Sequence, residues 1–199
     1  LEAMQERRVT VAGENRALPN PFLVVATQNP IEHEGTYPLP EAQLDRFMFS
    51  LDLRYPTPDD EIEIVRRTTI GQPSDLSACI SADELLGLQK LVRAMPVADQ
   101  VLAQAVTLAG ATRPHEEGAT PIAKTHIEWG AGPRASQYLI FGAKAFALMD
   151  GRAAPEVRDL RAVAPAVLSH RIVPNYRATG EGKSASQLVE AVLDELNVH

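Results

Sequence analysis

Three polar side chains in this sequence stand where they could handle phosphate. Asn29 closes the string Thr27-Gln28-Asn29-Pro30 directly after the apolar run Phe22-Leu23-Val24-Val25-Ala26. A continuous run of that kind reads as a strand buried on both faces of an α/β sheet, and ligands in open α/β sheets gather at the carboxyl ends of strands. An amide there can hold an attacking water or a phosphate oxygen, or it can simply satisfy the strand end as a turn residue. Arg46, in Leu44-Asp45-Arg46-Phe47, follows a short predicted helix. An exposed arginine on a rigid corner can stabilise the charge of phosphoryl transfer, often in a neighbouring subunit; an ion pair with Glu41 or Asp45 would occupy it instead. Arg134, in Gly132-Pro133-Arg134-Ala135, puts a cation in the first turn of a helix, against the macrodipole. A bound anion would offset that cost, since helix N-termini and arginine both favour phosphate; the plain alternative is a solvated surface arginine.

Other motifs do not assemble. The five histidines (His33, His115, His126, His170 and His199) show no H-x-x-x-H spacing and Cys79 has no nearby partner, so a zinc site is not expected. With one cysteine there is no internal disulfide, and a reducing cytoplasm fits. There is no G-x-S-x-G elbow and no G-x-G-x-x-G fingerprint. Gly180-Glu181-Gly182-Lys183-Ser184 ends like a phosphate-binding loop, but Arg177 stands where the first glycine is required and only Ile172-Val173 precedes Pro174 as a strand. It reads better as a flexible turn into a Ser-capped helix.

The elements that must position these groups follow from local pattern. Leu1 to Arg8 reads as the tail of a helix. Val9 and Val11 with the turn residues Ala12-Gly13-Glu14-Asn15 make a small hairpin. Phe22–Ala26 is the first buried strand, and Pro40 to Asp45 a short helix. Phe47, Phe49, Leu51 and Leu53 alternate with Met48, Ser50 and Asp52 as a second strand. Tyr55-Pro56-Thr57-Pro58 is the best boundary, with Thr57 able to cap a helix that carries Pro58 in its first turn. Beyond it the chain reads as helical. Ser81-x-x-Glu84 is a capping box ahead of Leu85, Leu88, Leu91, Val92 and Met95. A helix spans Val97 to about Thr112, residues 113 to 128 read as a loop, and Gly132-Pro133 opens a helix through Met149 that Gly151 stops. Pro155 and Pro165 mark two shorter helices, and Ser184 to Leu196 a last amphipathic one.

Composition bounds the rest. In 199 residues, 45% are apolar and 23% charged, the balance of a globular protein rather than a disordered one. No apolar run reaches the ~18–20 residues that cross a bilayer, so no membrane insertion is expected. Nineteen basic against 26 acidic residues give −7, which argues against holding nucleic acid by counterion release.

The string Ala26-Thr27-Gln28-Asn29-Pro30 running into Glu34-Gly35-Thr36-Tyr37-Pro38-Leu39-Pro40-Glu41-Ala42-Gln43-Leu44-Asp45-Arg46-Phe47 resembles the signature of the MoxR family of AAA+ ATPases. Leu1 to Arg7 looks like the helix after that family's Walker B acid, and Val9 to Leu18 like the hairpin before its sensor-1 strand. Gly130-Ala131-Gly132-Pro133-Arg134-Ala135 is similar to the start of the sensor-2 helix, and Val167-Leu168-Ser169-His170-Arg171-Ile172 to a segment late in the lid. Gly132 departs from the Ser or Thr often found there.

The resemblance implies an α/β fragment, the C-terminal strands of an AAA+ core, at residues 1–56, followed by an all-α lid domain at 57–199, mainly helical overall. It implies that Asn29 is sensor 1, Arg46 the arginine finger and Arg134 the sensor-2 arginine. It further implies ATP and Mg²⁺ as cofactors of the intact protein and neighbouring subunits in a ring, a hexamer. The expected role is chaperone-like remodelling in the cytoplasm, with a von Willebrand factor A-domain protein as partner. No Walker A loop or Walker B Asp-Glu precedes Leu1, so the expectation is that this chain alone does not hydrolyse ATP. Three alternatives stay open: a non-catalytic interaction or adaptor module, a magnesium-chelatase-type subunit, and a DNA-acting relative. The last would want basic residues at the tip of the hairpin, where Glu14 is the one charge.

Overall fold

The computed structural model describes residues 2–28, 39–70 and 76–197. Asn29 and the rest of residues 29–38, within the string that carries the resemblance, lie outside the described residues.

The chain is mainly helical, and its core sits in the second half. Helix α1 (Glu2–Glu6) leads into the hairpin β1 (Arg8–Val11) and β2 (Glu14–Ala17), paired antiparallel from Arg8 opposite Ala17 to Val11 opposite Glu14. The two connecting residues, Ala12 and Gly13, both have positive φ, the conformation that matches the twist of paired strands in a two-residue hairpin. A short α2 (Glu41–Leu44) follows, then α3 (Pro58–Thr69) and α4 (Ala82–Ala94). Thr57 caps α3 by accepting from the Asp60 amide at 3.3 Å, and Ser81 and Glu84 cap α4 reciprocally. These caps set where the two helices begin, but neither helix buries a residue.

The packed unit is built from α5 (Asp99–Ala111), α7 (Pro133–Met149), α8 (Val157–Leu168) and α10 (Ala185–Glu195). Leu108, Leu139, Leu160, Val163, Leu168, Leu188, Val192 and Leu193 are sealed from solvent among alanines. The alanines and Gly142 let α7 and α8 approach closely. A methyl placed on Gly142 would sit 3.1 Å from Val163 Cγ1. Gly132 and Pro133 open α7, and Gly151, at φ +72°, ends it in the left-handed conformation. Ser184 opens α10 with a capping box shared with Gln187, after a turn at Gly182 with φ +69°.

Four readings of the sequence are corrected. Phe22–Ala26 and Phe47–Leu53 form no strand: neither pairs with another strand, and Leu23 and Leu53 are 82% and 94% exposed. A strand needs a neighbour on at least one edge, and none of the described residues lies beside them as one. Residues 113–128 are not all loop. Thr120 caps α6 (Pro121–His126), which continues into β3 (Ile127–Trp129), paired with β4 (Val173–Pro174). Pro165 does not start a helix either. It lies in the last turn of α8, whose Val167 and Leu168 are buried, and a 3-10 turn at Ser169–Arg171 completes it. A short α9 (Tyr176–Gly180) precedes the Gly182 turn.

Candidate functional site

The corner at Asp45-Arg46 is a tightened continuation of α2. The amides of Asp45, Arg46 and Phe47 donate back to the carbonyls of Glu41, Gln43 and Leu44 at 2.9, 3.2 and 3.0 Å. Helix ends leave carbonyls without intrahelical partners, and here the helical unit supplies donors for them. Arg171, whose side chain is 1% exposed, reaches across from the 3-10 turn. Its Nε donates to Asp45 Oδ1 at 2.9 Å and its Nη2 to the backbone carbonyls of Asp45, at 2.7 Å, and Phe47. Its Nη1 donates to Met48 O at 3.3 Å and to Val167 O. The Tyr138 hydroxyl donates to Arg46 O at 3.2 Å, and its ring lies 5.0 Å from the Arg171 guanidinium carbon. His170 Nε2 stands 3.1 Å from Phe47 O, and the Ser50 amide donates to Ala166 O at 2.8 Å.

Burial pulls the Arg171 guanidinium below the ordinary arginine range, and the hydrogen bond to Asp45 works against that. Burial also pushes the His170 imidazole down, reinforced by the Arg171 charge.

Arg134 meets an anion at the start of α7, as the macrodipole argument requires, and that anion belongs to the protein. Its Nη1 lies 2.5 Å from Asp45 Oδ2, with the two side chains 37% and 29% exposed. One carboxylate thus bridges two arginines, Arg134 through one oxygen and Arg171 through the other. Arg46 forms neither of the ion pairs weighed for it, with Glu41 or Asp45. It is half-buried rather than exposed on the corner, and its Nε and Nη1 are covered by protein without a hydrogen-bond partner. The structure brings Arg134 and Arg171 together on Asp45, next to Arg46 in the chain, while Asn29 falls outside the described residues.

Arg171 was passed over in the sequence because no periodicity marks a buried arginine. Its one signal is the family-like string Ser169-His170-Arg171. A second polar cluster surrounds His126, whose Nε2 lies 3.0 Å from Glu181 Oε2 and 3.1 Å from Lys183 Nζ. Lys183, Arg177 and His126 together hold the Glu181 carboxyl down at about 2. The Gly180–Ser184 turn is thus tied back onto α6 by polar contacts through His126. A groove of about 570 Å³ between residues 50–54, α8 and α10 is lined by Asp52, Arg54, Glu190 and Asp194, and by none of the arginines above.

Known proteins match this arrangement along its length. The model of the ATPase family associated with various cellular activities (AAA) matches residues 1–49, and the AAA lid domain matches residues 119–192. The chain is 41% identical to the chaperone MoxR1 of Mycobacterium tuberculosis, over 97% of this chain and 51% of that protein. The chain belongs to the MoxR family of AAA+ ATPases. It is 36% identical to the uncharacterized YeaC of Bacillus subtilis, over 100% of this chain and 59% of that one. The crystal structure of a candidate ATPase from Cytophaga hutchinsonii superposes with a TM-score of 0.88 at 38% identity, covering 98% of this chain and 59% of the other. The chain thus spans about half the length of the MoxR relatives it matches. Among the described residues no helix is long and apolar enough to cross a membrane.

Proposed function

We propose that this chain serves, within an intact MoxR-type protein, as the part of an ATPase that carries the arginine finger and the lid, with Arg46 acting on a neighbouring subunit's nucleotide. In this reading residues 1–56 complete the α/β core and 57–199 form the lid. Asn29 orients the attacking water, Arg134 senses the terminal phosphate in its own subunit, and ATP hydrolysis in a cytoplasmic hexamer drives chaperone-like remodelling of partner proteins. A von Willebrand factor A-domain protein is the partner the family resemblance suggests.

The observation that supports this best is the asymmetry of the arginines at the corner. Arg46 has a backbone held from several sides, with its Nε and Nη1 buried and left unpaired. A buried donor without a partner calls for an explanation, and a charge kept in reserve for phosphoryl transfer supplies one.

The residues fit ATP in one respect. Arg134, at the opening of α7, already donates to a carboxylate oxygen, and a phosphate oxygen can accept the same bond. The described residues fit Mg²⁺ less well, since no group of three or more His, Cys, Asp or Glu among them could hold a metal ion. Metal binding is therefore assigned to other residues of the intact protein, where Mg²⁺ would neutralise phosphate charge.

Arg46→Ala in the intact protein tests the reading. Loss of an arginine finger costs roughly 10³–10⁵ in rate, so ATPase activity should fall to the background. Rings of the variant that hydrolyse ATP at the wild-type rate would remove the assignment. An adaptor, by contrast, should show no response in a nucleotide titration of the intact protein.

A further inference from the structure

We propose that Arg171 is a positioning residue: from the helical unit, it sets the backbone that carries Arg46. The proposal concerns geometry visible in this chain, and its catalytic consequence rests on the arginine-finger reading above.

The carbonyls of Asp45, Arg46, Phe47 and Met48 are four in succession. Three of them accept from the Arg171 guanidinium and the fourth, that of Arg46, from the Tyr138 hydroxyl. An arginine has five N–H groups in a fixed fork. Here Nε serves Asp45 Oδ1, Nη2 serves the carbonyls of Asp45 and Phe47, and Nη1 serves those of Met48 and Val167. Every donor is committed within the protein, so Arg171 has none left for a ligand. Arg46 is the reverse case, with the backbone fixed and the side-chain Nε and Nη1 unpaired.

The donors come from the helices that carry the other arginine. Tyr138 lies one turn beyond Arg134 on α7, Arg171 lies directly after α8, and Asp45 binds both guanidiniums. A displacement of α7 against α8 cannot leave the Asp45–Met48 backbone where it was. What Arg134 meets is therefore transmitted to the position of Arg46 through Arg171 and Tyr138. Lysine cannot take over this role, because its three donors radiate from one point and cannot span the fork.

Two measurements test this. The first is amide hydrogen exchange on this chain carrying Arg171→Lys. Exchange of the amides between 45 and 50 should speed up about tenfold or more, the effect of losing several hydrogen bonds at one place, while the amides of 139–147 keep their protection. Unchanged exchange at 45–50 would overturn the proposal. Should Arg171→Lys unfold the helical unit, Tyr138→Phe removes one clamp without burying a new charge. It should still raise exchange at Arg46 and Phe47, and its failure to do so would equally overturn the proposal.

The second is the ATPase of the intact protein. Arg171→Lys should lower kcat by roughly 10–100-fold, as a misplaced catalytic group does, with KM for ATP within about twofold. The double variant with Arg46→Ala should be no slower than Arg46→Ala alone, because a positioning residue has nothing left to position. Multiplicative losses would overturn it. Wild-type activity of Arg46→Ala would refute the finger reading instead, and positioning would then be decided by exchange alone.

Discussion

Gly130→Ala should destabilise the helical unit by about 1–5 kcal/mol, and the figure can be worked from the packing. A Cβ built on Gly130 would lie 2.4 Å from the Thr112 carbonyl oxygen and 2.6 Å from Arg113 Cα. Both are backbone atoms at the end of α5 and cannot rotate away. Bringing the nearest contact to 3.0 Å, a floor that real Cβ atoms keep, demands a shift of about 0.6 Å (3.0 less 2.4). That junction holds two further bonds, Ala131 N to Thr112 Oγ1 at 2.9 Å and Arg113 Nε to Ala131 O at 2.8 Å. Overpacking costs about 1–3 kcal/mol, and each hydrogen bond weakened adds up to about 1 kcal/mol. Gly110→Ala is the matched control. It lies inside α5 with nothing within 4 Å of the new methyl, and an alanine in a helix interior gains about 0.5–1 kcal/mol over glycine. Urea denaturation followed by circular dichroism at 222 nm should move the two midpoints in opposite directions. Equal midpoints for Gly130→Ala and wild type would refute the packing argument.

Other outcomes follow from the same structure. Leu139→Ala, in a side chain sealed within α7, should cost about 2–5 kcal/mol in the same assay, with the spread set by how far the cavity collapses. The Glu181 carboxyl should titrate near 2 by carboxyl NMR, and Lys183→Met should raise that midpoint by removing the largest cause of the shift. Because its folded value lies below the ordinary glutamate value of 4.5, whatever stability Glu181 lends is present above pH ~4.5 and lost as pH falls towards 2. Buried Asp159 is held below its ordinary range, its desolvation outweighed by Arg152 and the Glu156 amide. Thermal stability should therefore fall as pH drops below ~4, and Asp159→Asn should flatten that slope.

How much of this was legible in the sequence depended on whether the signal was local. Thr57, Ser81 and Ser184 announce their helices because a cap is written within four residues. Gly132-Pro133 and Gly151 bracket α7 for the same reason. Thr120-Pro121 carried the same information as Thr57-Pro58 but stood within a stretch without apolar period, so α6 went unread. The strands at 22–26 and 47–53 were misread because apolar alternation records what a segment could bury, whereas a strand also needs a paired neighbour. At the site, Arg46 and Arg134 were recognisable from motif strings, yet their relation to Asp45 was not. A carboxylate shared by arginines 89 and 126 residues away leaves no mark in either neighbourhood.

That separation also orders events in time. The core of the helical unit closes through contacts among residues 101–193, whereas the corner at residue 45 must await Arg171, 126 residues later. At the ~5–20 residues per second of synthesis, the corner stays open for about 6–25 s after it emerges. Refolding followed by pulsed hydrogen exchange should accordingly protect 139–147 before 45–50. The reverse order would show that the corner forms without its clamp.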